Sequence, residues 1–497
     1  MDLDADRCYR ALTAKDRRFD GLFFVGVATT GIYCRPVCTA RTPRRDRCTF
    51  YDSAAAAERA GFRACFQCRP ELAPGGAPVD ARSRLVAAAV ARIDAGALDD
   101  GSVDDLAREL GVAARHLRRV VHDELGVSPL ELAQTRRLAM AKQLLHDSDL
   151  GLAEIGFAAG FGSVRRFNAA FRDRFGEPPR ALRGARGAAR AAPAGTFTLR
   201  LGYRPPLDWA GLLAYLGPRA IPGVEAVDGA TWRRRVVVGD VAGVVAVTDD
   251  PDRAALVATV PVALAPAARS LATRLRAVFD LDARPDAIEA ALAVEPALRR
   301  SLRRRPGLRV PGAFDPFELA VRAVLGQQVS VRGATTLAGR LVARLGDARP
   351  AAPAAPAGPA ATLDRGFPGA ARLAAASPDE VAAIGLPGAR ARALIALAAA
   401  VADGAVVLDR APVHGDDVAA RVAALEALPG IGPWTAAYVA MRALRWPDAF
   451  PAGDLGVRKA LGVAGAPVTA TEAARRAEAW RPWRAYAVLH LWSSLAP

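Results

Sequence analysis

Apolar positions change rhythm along the chain, and each change marks a unit. Between about residues 82 and 184 they recur every three or four positions, the period of helices with one buried face. From Thr196 the pattern shifts to alternation and β-branched runs, TFTLRLGY, TWRRRVVVGD and VAGVVAVTDD, divided by turn residues, which predicts strands. After about residue 282 helical spacing returns and continues to the C-terminus, broken by ARPAAPAAPAGPAA, a stretch too rich in proline for a helix. Two Gly/Pro-bearing segments punctuate the N-terminal part: ELAPGGAPVD marks a boundary, and RGARGAARAAPAG reads as a flexible linker. The pattern predicts a multidomain chain: a small α+β unit at 1–79, an all-α unit at 80–184, a linker at 185–195, a β-rich α+β unit at 196–281 and an all-α unit at 282–497.

Composition adds a partner class. At 497 residues the chain is too long for one core, which agrees with several domains. Its formal net charge of +16 favours a polyanion such as nucleic acid, with an anionic membrane surface as runner-up. Nearly all of that charge is arginine, lysine occurring only at 15, 142 and 459, so the charge bias carries little weight alone. The charged N-terminus MDLDADRCYRALTAKDRRFDG has no signal-peptide core and no later apolar run is long enough to span a bilayer, so a soluble, monomeric, cytoplasmic protein without a membrane partner is expected.

All six cysteines lie between Cys8 and Cys68, which points to one local device in a reducing compartment rather than a disulfide framework. Cys34, Cys38, Cys65 and Cys68 form a C-x3-C and C-x2-C pair whose spacing suits tetrahedral zinc. Spacing alone favours a closed structural clip and leaves a reactive site open. Cys8 and Cys48 have no such pairing and read as buried thiols. The stretches TGIYCRPVC and GFRACFQCRP, and nearly all of the sequence between them, resemble the N-terminal domain of the Ada adaptive-response regulator. That resemblance implies one Zn2+ ion on the four cysteines, with Cys34 accepting a methyl group from DNA methylphosphotriesters and Cys38 remaining a ligand. Four thiolates on one zinc ion leave a net double negative charge, so a ligand sulfur stays nucleophilic. Methylating one of them halves the negative charge facing DNA phosphates and strengthens binding. Arg35, Arg41, Arg44, Arg45 and Arg47 are candidates for phosphate contacts, a plain solvated basic loop being the alternative.

The helical segment repeats one device. SVDDLARELGVAARHLRRVVHDELGVSP offers a Ser102 cap, a turn at Gly111 and a second helix with Arg115, His116, Arg118 and Arg119. LAEIGFAAGFGSVRRFNAAFRDRFGEPPRALR repeats it, with Gly160 and Gly162 at the turn and Arg165, Arg166 and Asn168 beyond. By pattern alone an unrelated helical bundle stays open. Residues 84 to 183, including GFGSVRRFNAAFRDRFGEPPRALR, resemble the AraC-type DNA-binding domain, which implies double-stranded DNA and RNA polymerase as partners. His116, His122 and His146 lack ligand spacing and are surface or packing residues.

LPGIGPWTAAYVAMRAL carries a Gly430-x-Gly432 hairpin of the kind that turns backbone N–H groups and a helix N-terminus toward a phosphate, a plain Gly/Pro turn between packed helices being the alternative by pattern alone, and Pro433 suits a first helical position. Asp454 follows in FPAGDLGVRKAL. Hairpin, Gly/Pro-rich loop and Asp resemble the helix-hairpin-helix DNA glycosylase superfamily, and DPFELAVRAVLGQQVSV with RPWRAYAVLHLW make the likeness closest to AlkA-type 3-methyladenine glycosylases over about 196–497. The resemblance implies Asp454 as the catalytic carboxylate, where pattern alone would suggest a loop cap, Trp434, Tyr438 and Trp492 as walls of a base pocket, with core packing as the alternative for each, and no cofactor for that reaction. Trp434 stands where strand-cleaving relatives carry lysine, which implies a monofunctional enzyme. Gln328 in GQQVS departs from the resemblance, which implies an apolar side chain here to fill the gap left by a flipped base, although glutamine can still act as the wedge. No cysteine follows Cys68, so the Ada regulator's second methyl-acceptor domain, and with it reversal of O6-alkylguanine, is not expected. Together these readings describe a methyl-accepting regulator fused to an alkylpurine glycosylase. The alternatives are a transcription factor whose C-terminal half only binds DNA, and a glycosylase with a purely structural zinc unit.

Overall fold

The computed structural model of the chain describes residues 4–76, 84–184, 193–348, 363–408, 415–462 and 466–495. In the cysteine-bearing unit, strands β1 (Phe24–Val27), β2 (Ile32–Cys34), β3 (Cys48–Tyr51) and β4 (Arg63–Ala64) form a sheet in the order β3-β1-β2-β4. β1 pairs antiparallel with β2 and β3, and β4 lies parallel to β2, bringing Cys65 beside Tyr33. The two cysteine pairs thus leave neighbouring strands at the same end.

The helical unit follows the expected plan. Ser102 and Asp105 form a capping box on helix Val103–Glu109, Gly111 turns the chain at φ 70°, and helix Ala114–Leu125 follows. A long helix, Pro129–Asp147, connects this pair to the second, Leu152–Ala158 and Val164–Phe175. At the second turn Gly160 has φ 90°, and a Cβ there would sit 2.5 Å from the Asp99 carboxylate, so both backbone and space require glycine.

The β-rich unit has five antiparallel strands in the order β5 (Thr196–Gly202), β9 (Ala255–Pro261), β8 (Val241–Asp250), β7 (Thr231–Val238) and β6 (Glu225–Asp228). The three sequence runs became β5, β7 and β8. β6 is too short to show a pattern, and β9, buried on much of both faces, does not alternate. Helix Trp209–Leu216 follows β5. The C-terminal part is helical, and most of the Pro/Ala stretch and of the expected linker lies outside the described residues.

A single apolar core runs through three of these regions: Phe24 and Tyr33 from the cysteine-bearing sheet, Phe167, Phe171 and Phe175 from the second helix pair, and Phe197, Trp232 and Phe279 from the β-rich unit. Buried polar links cross the same seams. Lys142, 1% exposed, donates to Glu71 at 2.9 Å and to the Cys65 carbonyl at 3.0 Å, and Arg69 pairs with Asp147 at 2.7 Å. Arg204, fully buried, donates to the carbonyls of Asp20 (2.9 Å), Gly75 (2.8 Å) and Asp282 (3.0 Å). The start of the Gly/Pro boundary segment is therefore strapped across the β-rich unit. A second core, built from residues such as Val321, Leu394, Val439, Trp480 and Leu491, supports the C-terminal helices. Tyr215, on helix Trp209–Leu216, packs against both cores. Among the described residues no helix is long and apolar enough to cross a membrane.

Candidate functional site

The ligand atoms of Cys34, Cys38, Cys65 and Cys68 lie within 4.8 Å of one another. Tetrahedral zinc at 2.3 Å from each sulfur needs sulfurs about 3.8 Å apart, so they meet one ion with shifts of about 1 Å or less. Hydrogen bonding among the thiols splits their acidities: Cys34 is pushed up, chiefly by Cys38, while Cys38 falls to about 7 and Cys65 lower, each chiefly through Cys34. A cation among them replaces those shared protons, so the donor set fits a metal. Cys38 and Cys65 are buried, and Cys34 and Cys68 are half-buried. The Arg35 backbone N–H points at Cys68 Sγ at 3.4 Å.

Arg35 does not serve as a free phosphate contact. Its guanidinium forms an ion pair with Asp20 and donates to the Cys68 carbonyl at 3.2 Å, buttressing the cluster from behind. Arg44 and Arg47 flank Asp46, Arg45 reaches Asp6 at 3.4 Å, and Arg41 is exposed. Cys8 and Cys48 are buried, and burial pushes both thiols up, Cys8 to about 11.

On the helix pairs, Arg115, Arg118, Arg119, Arg165 and Arg166 are exposed, and His116 and Asn168 are half-buried. Arg118 is tethered to Asp104 at 3.2 Å, and an Arg119 guanidinium nitrogen lies 3.1 Å from His116 Nδ1. His122 sits against Arg59 at 3.0 Å, joining this unit to the cysteine-bearing one, and His146 is half-buried.

The C-terminal residues converge on one carboxylate. Asp454 caps helix Leu455–Ala460: its Oδ1 accepts the Val457 N–H and the Trp492 indole N–H, both at 2.8 Å, and its Oδ2 accepts the Trp434 indole N–H at 2.8 Å. A Cβ on Gly456 would press on Asp454 Oδ1 at 3.1 Å and on the Trp492 ring at 3.2 Å, so glycine lets the indole approach. Trp434 and Tyr438, one turn apart on helix Pro433–Arg442, stack at 5.3 Å between centroids and 10° between planes, and Tyr438 lies 6.3 Å from Trp492. Both tryptophans thus hold the Asp454 carboxylate through their indole N–H groups, a contact their spacing did not reveal. Pro433 occupies the first turn after Gly432, and Gly430 has φ 78° in the exposed hairpin. Gln328 is exposed with φ 57° at the end of helix Pro316–Leu325. Lys459 is exposed on the helix that Asp454 caps.

Sequence reasoning missed several partners. Gln327 donates to the Gly430 carbonyl (2.9 Å) and to Thr435 Oγ1 (3.0 Å), fastening the hairpin. Arg442, 4% exposed, donates to Tyr438 Oη at 2.6 Å and to the carbonyls of Pro311 (2.6 Å) and Gly312 (3.1 Å). Its i+4 spacing from Tyr438 was a usable signal. Tyr215, whose hydroxyl lies 3.3 Å from that of Tyr438 across 223 positions of sequence, gave none.

Four family models match: "Metal binding domain of Ada" at 7–71, "Helix-turn-helix domain" at 106–185, "AlkA N-terminal domain" at 198–315 and "HhH-GPD superfamily base excision DNA repair protein" at 321–485. The chain is 42% identical over its whole length to 97% of the probable bifunctional transcriptional activator/DNA repair enzyme AlkA of Mycobacterium tuberculosis. It is 36% identical, over 59% of its length and 95% of the relative's, to DNA-3-methyladenine glycosylase 2 of Escherichia coli. Over 14% of its length and 20% of the relative's it is 45% identical to the bifunctional transcriptional activator/DNA repair enzyme Ada of Escherichia coli.

Proposed function

Because the chain belongs to the family of bifunctional transcriptional activator/DNA repair enzymes AlkA, we propose that it joins a zinc-thiolate methyl acceptor and DNA-binding regulator to a monofunctional alkylpurine DNA glycosylase. The observation that carries the glycosylase reading is the Asp454 carboxylate, half-buried and held by three N–H donors beside a stack of aromatic rings. Alkylation at a ring nitrogen makes a purine cationic and a better leaving group. The bond from the sugar to the base nitrogen breaks with its electron pair leaving on the base. Asp454 faces the positive charge that develops on the sugar and takes a proton from the attacking water. The faces of Trp434, Tyr438 and Trp492 suit an extruded, electron-poor base. Gly430 and Gly432 offer backbone N–H groups to the phosphate chain, and Gln328 is positioned to fill the vacated stack.

At the cysteine cluster, a bound zinc ion supplies the charge that keeps its ligand thiols deprotonated at neutral pH. The half-exposed Cys34 sulfur attacks the methyl carbon of a methylphosphotriester: the S–C bond forms as the C–O bond breaks, and the electron pair leaves on the phosphate oxygen. The product thioether carries no charge, which favours DNA and provides a regulatory signal to RNA polymerase through the paired helix-turn-helix units.

Incubation of the protein with methylated duplex DNA tests the excision half. Free 3-methyladenine is expected without strand cleavage, and borohydride traps no covalent adduct with abasic DNA. No base release overturns the enzyme reading in favour of a DNA-binding regulator, and a trapped adduct overturns the monofunctional one.

A further inference from the structure

Behind the aromatic stack, at the hydroxyl end of Tyr438, lie Tyr215, Arg219 and Arg442, polar groups to which the excision chemistry assigns no role. The Tyr215 and Tyr438 hydroxyls are 3.3 Å apart, and Arg442 Nη1 reaches both, at 3.3 and 2.6 Å. Arg219 stacks on the Tyr215 ring at 3.8 Å and donates to the Tyr215 carbonyl at 2.8 Å. Arg442 itself is fixed by the Pro311 and Gly312 carbonyls, so its charge cannot swing away. We infer that Tyr215, delivered to the pocket by the β-rich unit, is a positioning residue that sets the charge of the pocket floor through Tyr438 and thereby its preference for cationic over neutral lesion bases.

The sign follows from the groups present. Facing Tyr438 are Arg442 on its own helix, Arg219 and Tyr215 on the segment after β5, and Arg322 on helix Pro316–Leu325, with Glu225 of β6 opposing Arg442 and Arg322. While Tyr438 keeps its proton, the nearby guanidinium charge repels a cationic base. Once Tyr438 ionises, its phenolate cancels Arg442 and the cation is favoured. Burial works against that ionisation, but Arg442, Arg219 and the Tyr215 hydrogen bond outweigh it and bring Tyr438 down to about 8. A hydroxyl from Tyr215 stabilises the phenolate by donating to it. A neutral base carries no net charge for the phenolate to attract, so the cationic substrate senses the switch far more strongly.

The inference rests on the glycosylase reading, and its test separates the two. Base release from duplexes carrying 3-methyladenine, which is cationic, and 1,N6-ethenoadenine, which is neutral, is measured between pH 6 and pH 9.5 for wild type, Tyr215→Phe and Arg219→Gln; tyrosinate absorbance is titrated without DNA. The cationic-to-neutral ratio of kcat/KM is expected to rise through about pH 8 in the wild type. In both variants the inflection moves up by about half a unit or more, and the ratio near pH 8 falls about twofold or more, the tyrosinate titration shifting in parallel. A ratio without an inflection, or one unmoved in both variants, overturns the inference while leaving glycosylase activity standing. A tyrosinate titration with no low-pH component overturns it independently of activity. If wild type releases neither base, the glycosylase reading falls and the inference falls with it.

Discussion

The cysteine cluster draws all four thiols from residues 34–68, at one end of a small sheet, whereas the proposed base pocket combines Trp434, Asp454 and Trp492 of the C-terminal helices with Tyr215 from a unit far away in sequence. Their supports differ in kind. The cluster has few apolar residues of its own and leans on a core it shares with the helix pairs and the β-rich unit. The pocket stands on a large core already complete beneath it, and its polar groups are oriented by indoles and backbone carbonyls. Losing a group from the first should be an event of folding, and losing a group from the second an event of chemistry.

Removing the metal is the harshest test of that contrast. Structural zinc contributes on the order of 10 kcal/mol to small cysteine-bound units. Cys38→Ser, at a buried ligand, should lose the ion by elemental analysis and lower the melting transition of the N-terminal regions, promoter binding falling with it. An unshifted transition would break the comparison. At the pocket, Asp454→Asn should lower base release by at least ~10³-fold, about 4 kcal/mol, in single-turnover assays. Asparagine caps a helix as well as aspartate but its amide cannot accept the Trp434 N–H, so its melting temperature should fall only slightly.

Lys142→Met probes the shared core. It leaves Glu71, buried with only Arg69 as partner, and should cost about 3 kcal/mol in denaturant unfolding without changing the rate of excision per folded molecule. Trp434→Phe keeps the ring against Tyr438 but removes one donor from Asp454. A tenfold to hundredfold fall in kcat is expected, about 1.5–3 kcal/mol, with DNA affinity nearly unchanged. An equal fall in affinity would mean that the indole serves binding more than the acid.

Where ligands are close in sequence, the chain announces them. The C-x3-C and C-x2-C spacing was readable because two adjacent strands deliver it, and the hairpin with its following aspartate was readable because both lie in one stretch. Helix caps such as Ser102 and turns such as Gly111 were legible for the same reason. Arg35 misled because its neighbour Cys34 and its charge suggest DNA, while its partner Asp20 lies on a turn whose approach only the fold decides. Tyr215 and the shared core were invisible: nothing in an amphipathic pattern tells a helix whether its apolar face meets its own unit or another. Arg204 is the extreme case, a guanidinium that looks like surface charge and is spent on three backbone carbonyls from separate parts of the chain.

The central claim is that the cysteine cluster reacts rather than merely holds. Zinc-loaded protein incubated with duplex DNA bearing methylphosphotriesters, then digested and read by peptide mass spectrometry, tests it directly. One added methyl group on Cys34 and none on Cys38, Cys65 or Cys68 is the predicted result; unmodified Cys34 after full exposure, or a methyl group on another of the four, would contradict it.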